Sequence, residues 1–480
     1  MNRAPVGCVP DLTPCAREAI HVPQAIQSHG ALLVASADGN CITHASANLA
    51  AILGAAPEDC LDRPPGSVLG SEACDLLLGA GLHAANTTGL THTLVRPRAA
   101  ALHLRAFRSG RSVCIDIEPV RTEPWQRPPL WRVQSILDSF RAATGVDDLC
   151  RLAVTGLRAV AGYDRVMGYR FGADGHGEVI AEDCAPLEPY LGQRYPASDI
   201  PAQARQLYLR QPVGVIADSG YTPVPLLGRA GARDHAPIDL THSALRSVSP
   251  LHREFMRNMH TAASMTIGLA SGGASAAPTL WGMLVCHHLT PRYPSPELRA
   301  AAEVIGQVVS LLLHNQMTAE VYAERARRDA TLRTLLTGLT SAAPPIETLL
   351  ALGGDLLRLV NASGAVVRFA GNHHSLGAAP GPQLAAAIGA ALRPVRHRAA
   401  LGVDDLGLRH PEFAAEAANY SGVLVLPLGE TGKDADQDSQ DAILWFRPEQ
   451  ALTITWGGDP TKHPAPDPVT GTISPRSSFA

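Results

Sequence analysis

Three stretches hold the residue types that could do chemistry. The first is Cys15-Ala16-Arg17-Glu18-Ala19-Ile20-His21-Val22-Pro23. A cysteine in an aperiodic N-terminal arm can reach a ligand bound elsewhere, and Arg17 beside it favours the thiolate. A surface cysteine with no task reads about as well. The second is Tyr195-Pro196-Ala197-Ser198-Asp199-Ile200-Pro201. Two prolines fix the backbone around Asp199, so its carboxylate or backbone carbonyl is held rigidly toward a ligand N–H. The same residues also read as a helix start, with Ser198 or Asp199 as N-cap and Pro201 at N1 of a helix over 202–209. The third stretch gathers Arg246, Ser249, His252, Ser264, Thr266 and His287, with Tyr208 and Arg210 upstream. Cations, hydroxyls and imidazoles together suit an anionic, hydrogen-bonding small molecule.

Something must position these groups. Residues 1–20 are irregular. From 21 to about 125 the pattern predicts a strand at 31–35, a turn at 37–40, a strand at 41–45, helices, and a strand pair at 102–107 and 112–117. This is an α+β sandwich. The run Glu123-Pro124-Trp125-Gln126-Arg127-Pro128-Pro129 is a linker. A second domain, 130–315, carries helices over 133–144 and 149–161 and strands at 165–171, 264–270 and 280–287. Its stretch 186–250 reads as one long irregular loop, and such loops are usually functional. From 297 to about 339 runs one helical pattern without proline, roughly 60 Å if unbroken. It is either two helices meeting near Gly338 or a single helix that joins domains and pairs with a second copy. Region 316–480 alternates helix and strand again, with strands at 442–446 and 450–456. It ends in a proline-rich excursion with no evident return strand, so this third domain reads as truncated.

Composition narrows the function. Of 480 residues, 44 are acidic and 40 are Lys or Arg, a net charge of −4. That gives no cationic excess for a nucleic-acid backbone. No apolar run reaches about 18 residues, so no transmembrane helix is expected. Nine cysteines, none at C-x-x-C spacing, point to a reducing cytoplasm rather than a disulfide framework or a cysteine metal site. The 19 histidines include no H-E-x-x-H, which weighs against a metallohydrolase.

Several motifs, in order, resemble one family. They are Cys15 through His21; Gln24-Ala25-Ile26-Gln27-Ser28-His29-Gly30; the PASDIP run 196–201; Leu251-His252-Arg253-Glu254-Phe255-Met256-Arg257-Asn258-Met259; Leu280-Trp281-Gly282-Met283-Leu284-Val285-Cys286-His287-His288; Trp456-Gly457-Gly458-Asp459-Pro460; and Pro475-Arg476-Ser477-Ser478-Phe479. Together they are similar to the bacterial phytochromes over nearly the whole chain.

The resemblance implies three successive α/β modules: a PAS domain at 21–125, a GAF domain at 130–315 and a PHY domain at 316–480. Each has a central antiparallel sheet, the N-terminal arm is knotted through GAF, and a long helix connects GAF to PHY. It implies biliverdin as cofactor, joined by a thioether to Cys15, with Cys8 as the competing thiol. Arg246, Ser264, Thr266 and Tyr208 would hold the propionates; the family's second propionate arginine falls at Gly214 here. The Asp199 carbonyl, with a water held by His252, would meet the pyrrole N–H groups. Ile200, Pro201 and Ser249 would join the pocket, and His287 would meet the ring D carbonyl. Met167, Tyr169 and Tyr195 would line the ring D pocket, and Phe255 stands where the family often has tyrosine. Red light would turn ring D, and Asp199 would exchange Arg476 for Ser478 as the tongue refolds. A homodimer through the long helix, and an output or response-regulator partner, follow from the same resemblance. The expected truncation predicts a poorly stabilised far-red state. A GAF-type module binding a cyclic nucleotide is the alternative; it explains the α+β units and the helix, but not Cys15 or the Asp199 run.

Overall fold

The computed structural model describes residues 18–83, 91–94, 100–184, 186–228, 237–272, 277–340, 343–392, 400–428, 441–451 and 453–457. Cys8, Cys15, Arg476 and Ser478 lie outside them. The chain divides into two compact units, Met1–Met317 with Ile454–Ala480, and Thr318–Thr453.

The first unit holds two sheets. Strands β1 (Ala25–Ile26), β2 (Ala31–Ala35), β3 (Ile42–Ser46), β4 (Thr91–Leu94), β5 (Leu102–Ser109) and β6 (Ser112–Pro119) belong to one. Strands β7 (Arg165–Phe171), β8 (Gly177–Asp183), β9 (Gln193–Tyr195), β10 (Val213–Ile216), β11 (Val224–Gly228), β12 (Ala263–Ser271) and β13 (Thr279–His288) follow. The first sheet runs β1-β11-β3-β2-β6-β5-β4, so β11 is lent to it by the second region. All five residues of β2 are buried. Leu33 packs with Leu49, Leu69 and Leu77 on the helical side, while Leu32 and Val34 pack with Ile238, Leu240 and Leu245 on the other. A strand covered on both faces needs a continuous apolar run rather than alternation.

The second sheet runs β10-β12-β13-β7-β8-β9 and ends on β19 (Thr455–Trp456), which pairs in parallel with β9. One face, through Val166, Met265, Ile267, Leu284 and Cys286, packs on the helix Val146–Ala161 and on Ile305, Val309 and Leu313 of the helix Pro296–Leu339. That helix is a single element of 44 residues, with no break near Gly338.

The second unit carries β14 (Gly364–Phe369), β15 (Asn372–Gly377), β16 (Leu401–Val403), β17 (Gly422–Pro427) and β18 (Ala442–Arg447) in an antiparallel sheet ordered β15-β14-β18-β17-β16. Val366, Ile388, Leu406, Leu444 and Phe446 form its core on one side.

Several sequence expectations need correction. The stretch 186–250 is not irregular throughout. It contains β9, the helix Ala202–Arg210, β10 and β11. These strands are short sheet edges or are given to another domain, so they carry little periodicity of their own. Asp199 does not cap the helix: it closes a 3-10 turn, Ala197–Asp199, and Pro201 itself is the N-cap, without a side-chain cap bond. The expected strand at 450–456 is only Thr455–Trp456.

Residues 21–27, which follow the arm, are held by two segments of the second region, an outgoing limb at 224–228 and a returning limb at 237–247. Ala25 and Ile26 pair with Pro225 and Val224 on the outgoing limb. The returning limb bonds the same segment through Leu240 N–H to His21 O (2.8 Å), Gln27 N–H to Leu245 O (2.7 Å) and Ser247 N–H to Ala25 O (3.1 Å).

Candidate functional site

Side chains two apart on a strand share a face. On the sheet face opposite the helices, this period places Met167 and Tyr169 of β7, Ser264 and Thr266 of β12, and Met283, Val285 and His287 of β13. The register sets Ser264 beside His287, Thr266 beside Val285, and Met283 beside Tyr169. These residues line a cavity of about 210 Å³. The PASDIP turn brings Asp199, Ile200 and Pro201, and the helix after it brings Tyr208. Tyr195 enters from β9, Arg246 and Ser249 from the returning limb, and His252 and Phe255 from the helix Pro250–Asn258. The fourteen cavity candidates named from sequence thus meet in one place. Cys15, Arg476 and Ser478 lie outside the described residues.

Local packing fixes their poses. Gly177 on β8 faces Tyr169: a Cβ there would lie 1.8 Å from the phenol ring, so only glycine leaves the ring its place. The Tyr169 and Tyr195 rings lie 6.2 Å apart, and the Tyr195 hydroxyl donates to Gln193 Oε1 at 3.0 Å. The His252 ring stacks on Phe255 at 6.4 Å.

Sequence reasoning missed several contributors. Arg205 donates to Ile200 O (2.8 Å), Gly175 O (2.5 Å) and Ala197 O (3.3 Å), tying down the turn that carries Asp199. Its one legible signal was its place in the first turns of a helix that follows two prolines. Arg165 pairs with Glu182 (2.9 Å) and lies over the Tyr190 ring at 3.7 Å, and Glu182 accepts from the Tyr190 and Leu191 amides. Tyr190, Met256, Met259, Met283 and Glu18 also line the cavity. Met256, Met259 and Met283 stood within the motifs quoted for the resemblance but were not assigned to the pocket.

The electrostatics favour donors. Burial pushes the His287 imidazole down to about 3, with Arg165 adding to the effect, so it is neutral near pH 7. Burial, then the Asp199 carboxylate, raises Tyr169; burial, then Tyr190, raises Tyr195, so both phenols keep their protons. Burial lowers Arg246 from its ordinary value, and its Nη1 donates to Ile20 O at 2.8 Å. Arg246 Nε and His287 Nδ1 are buried without a hydrogen-bond partner among the described residues. Such orphans are costly unless a ligand satisfies them. A long conjugated ligand whose carboxylate and carbonyl oxygens accept fits this donor set.

Family models match the chain in series: the PAS fold at 15–120, the GAF domain at 145–313 and the phytochrome region at 328–480. The bacteriophytochrome of Xanthomonas campestris is 33% identical over 98% of this chain and 74% of its own length. Cyanobacterial phytochrome B of Nostoc is 31% identical, and the match covers 98% of this chain but only 62% of that protein. Among solved structures, a bacteriophytochrome of R. palustris superposes with a TM-score of 0.79 at 34% identity, covering 96% of this chain and 91% of that one. The photosensory core module of Stigmatella aurantiaca phytochrome gives 0.77 at 34% identity, covering 98% and 92%. With the cavity residues, the domain order and these relatives in agreement, the chain belongs to the phytochrome family as a PAS–GAF–PHY photosensory core.

Proposed function

We propose that the chain is a red/far-red photoreceptor whose GAF cavity holds biliverdin through a thioether to Cys15. The domains are an arm at 1–20, PAS at 21–125, GAF at 130–315 and PHY at 316–480. The observation that carries this reading is the convergence of fourteen separately placed residues on one cavity whose two buried orphans, Arg246 Nε and His287 Nδ1, need a ligand. The bound bilin supplies light absorption and the turning of ring D.

The chain's own groups hold it. Arg246, Ser264, Thr266 and Tyr208 take its carboxylates, and the Asp199 carbonyl with His252 takes its pyrrole N–H groups. His287, neutral, meets the ring D carbonyl beside Met167, Tyr169 and Tyr195. Cys15 would carry the attachment, its S–H adding across the ring A vinyl group to give a thioether. Glu18 lines the cavity.

The relay passes from Asp199 to Arg476 in the dark and to Ser478 after light. Thr455 and Trp456 pair with Gln193 and Arg194, just before the PASDIP turn in the chain. The signal leaves along the helix Pro296–Leu339, paired with its copy in a homodimer, toward an output domain or response-regulator partner. Biliverdin added to purified apoprotein tests the reading. A red-absorbing adduct that keeps its zinc-enhanced fluorescence on a denaturing gel is expected, and Cys15→Ala is expected to lose the band. A band retained in the variant moves the attachment elsewhere, and no red band in the parent protein overturns the function.

A further inference from the structure

Gln27 is 1% exposed and lies at the start of the PAS region, just after β1, yet its amide bonds two other segments. Its Nε2 donates to Val215 O at 2.8 Å and to Arg246 O at 3.3 Å, and its Oε1 accepts from Ala217 N–H at 3.0 Å. Val215 and Arg246 both line the cavity. Strand β10 is the edge of its sheet. There a primary amide offers a donor and an acceptor as a peptide group of a neighbouring strand would, and its second N–H is left for Arg246 O. The Gln27 backbone N–H is bonded as well, to Leu245 O, one residue before Arg246.

We propose that Gln27 is a positioning residue of the bilin cavity: its side chain splices the end of β10 to the returning limb and so fixes Arg246 against the Gly214–Ile216 wall. This rests on reading the cavity as the bilin site. Without the splice, the Val215 and Arg246 carbonyls and the Ala217 amide lose their partner together. Among the described residues, Arg246 then keeps its backbone N–H to Ser243 O, the neighbouring backbone bonds to Gln27 N–H and Ala25 O, and its Nη1 to Ile20 O.

Gln27→Glu tests this, because its protonation state switches the splice. A neutral carboxyl donates to Val215 O and accepts from Ala217 N–H; a carboxylate has no proton to offer either carbonyl. At pH 8 the variant is expected to lose about tenfold or more in the hydrogen-exchange protection of the Ala217 and Ser247 amides, and to take up biliverdin correspondingly more slowly. Near pH 5.5 both return toward the wild type, whose protection and uptake show no such step. If Gln27→Glu does not fold, Gln27→Met fills the same space without hydrogen bonds, and both readouts should fall at either pH. Wild-type behaviour of both variants overturns the proposal, as does loosened exchange with unchanged uptake. If the wild type takes up no bilin, the cavity's reading fails instead. The exchange data then decide the splice alone: pH-dependent loosening of Ala217 and Ser247 keeps it, and its absence overturns it.

Discussion

At the scale of single residues, the cavity depends on small groups that make room for large ones. Gly177 illustrates this, since Tyr169 occupies the space where any Cβ would stand. Gly177→Ala is expected to push the phenol off its pose, cost about 1–3 kcal/mol by overpacking, and weaken bilin uptake. Urea midpoints and a biliverdin titration followed in the red check it. Gly457 has the same relation to Tyr195, with a Cβ placed 2.3 Å from that ring. None of this was legible in the sequence, where no strand was read at Gly177. The facing residues themselves were legible through their residue types and the family resemblance, and period two on β7, β12 and β13 is why they point together.

At the scale of elements, the foot of the long helix is tied to the PAS sheet. Arg299 donates to both Glu118 oxygens, at 2.6 and 3.0 Å, and both side chains are 9% exposed. Breaking one partner of a buried pair typically costs about 3–5 kcal/mol. Glu118→Gln is therefore expected to lose about that much, and Glu118→Gln combined with Arg299→Gln to lose less than the sum of the two singles. A double-mutant cycle in urea measures the difference. His29 sits 3.8 Å from Glu118, and burial pushes its imidazole down to about 4. The folded form thus binds a proton less readily than the unfolded chain. The stabilisation is complete above pH 6.5 and is lost as pH falls from 6.5 toward 4, on the order of 3 kcal/mol at most. Asp116, pushed up to about 6 by burial, titrates in the same window with opposite sign. The check is therefore the difference between the wild type and His29→Gln, whose stability should converge as pH falls.

At the scale of the whole molecule, the helix Pro296–Leu339 exposes Val304 and Leu311, seven residues apart, at 43% and 60%. Tyr322 and Leu336 further along are 65% and 52% exposed. At 100° per residue these four fall within a narrow stripe, the pattern of a helix that pairs. Leu311→Glu is expected to turn a dimer into a monomer in sedimentation velocity while leaving bilin uptake unchanged. An unchanged dimer would place the interface on another surface.

The sequence by itself determined the three α+β modules, strands β2, β3, β5, β6, β7, β12, β13 and β18 near their observed ends and, through the ordered motifs, the fourteen residues of the cavity; it left open whether the long helical pattern was one helix or two. Periodicity, turn chemistry and ordered motifs are local, and they survive without coordinates. Only the tertiary structure decided the exchange of strands. β11 joins the PAS sheet and β19 joins the GAF sheet, because an open edge accepts any backbone that can reach it, and a short edge strand carries no mark of its partner. It also decided the long-range polar bonds of Gln27, Arg205 and the Glu118–Arg299 pair. Their partners are largely backbone carbonyls and distant charges, which have no signature in the spacing of side chains along the chain.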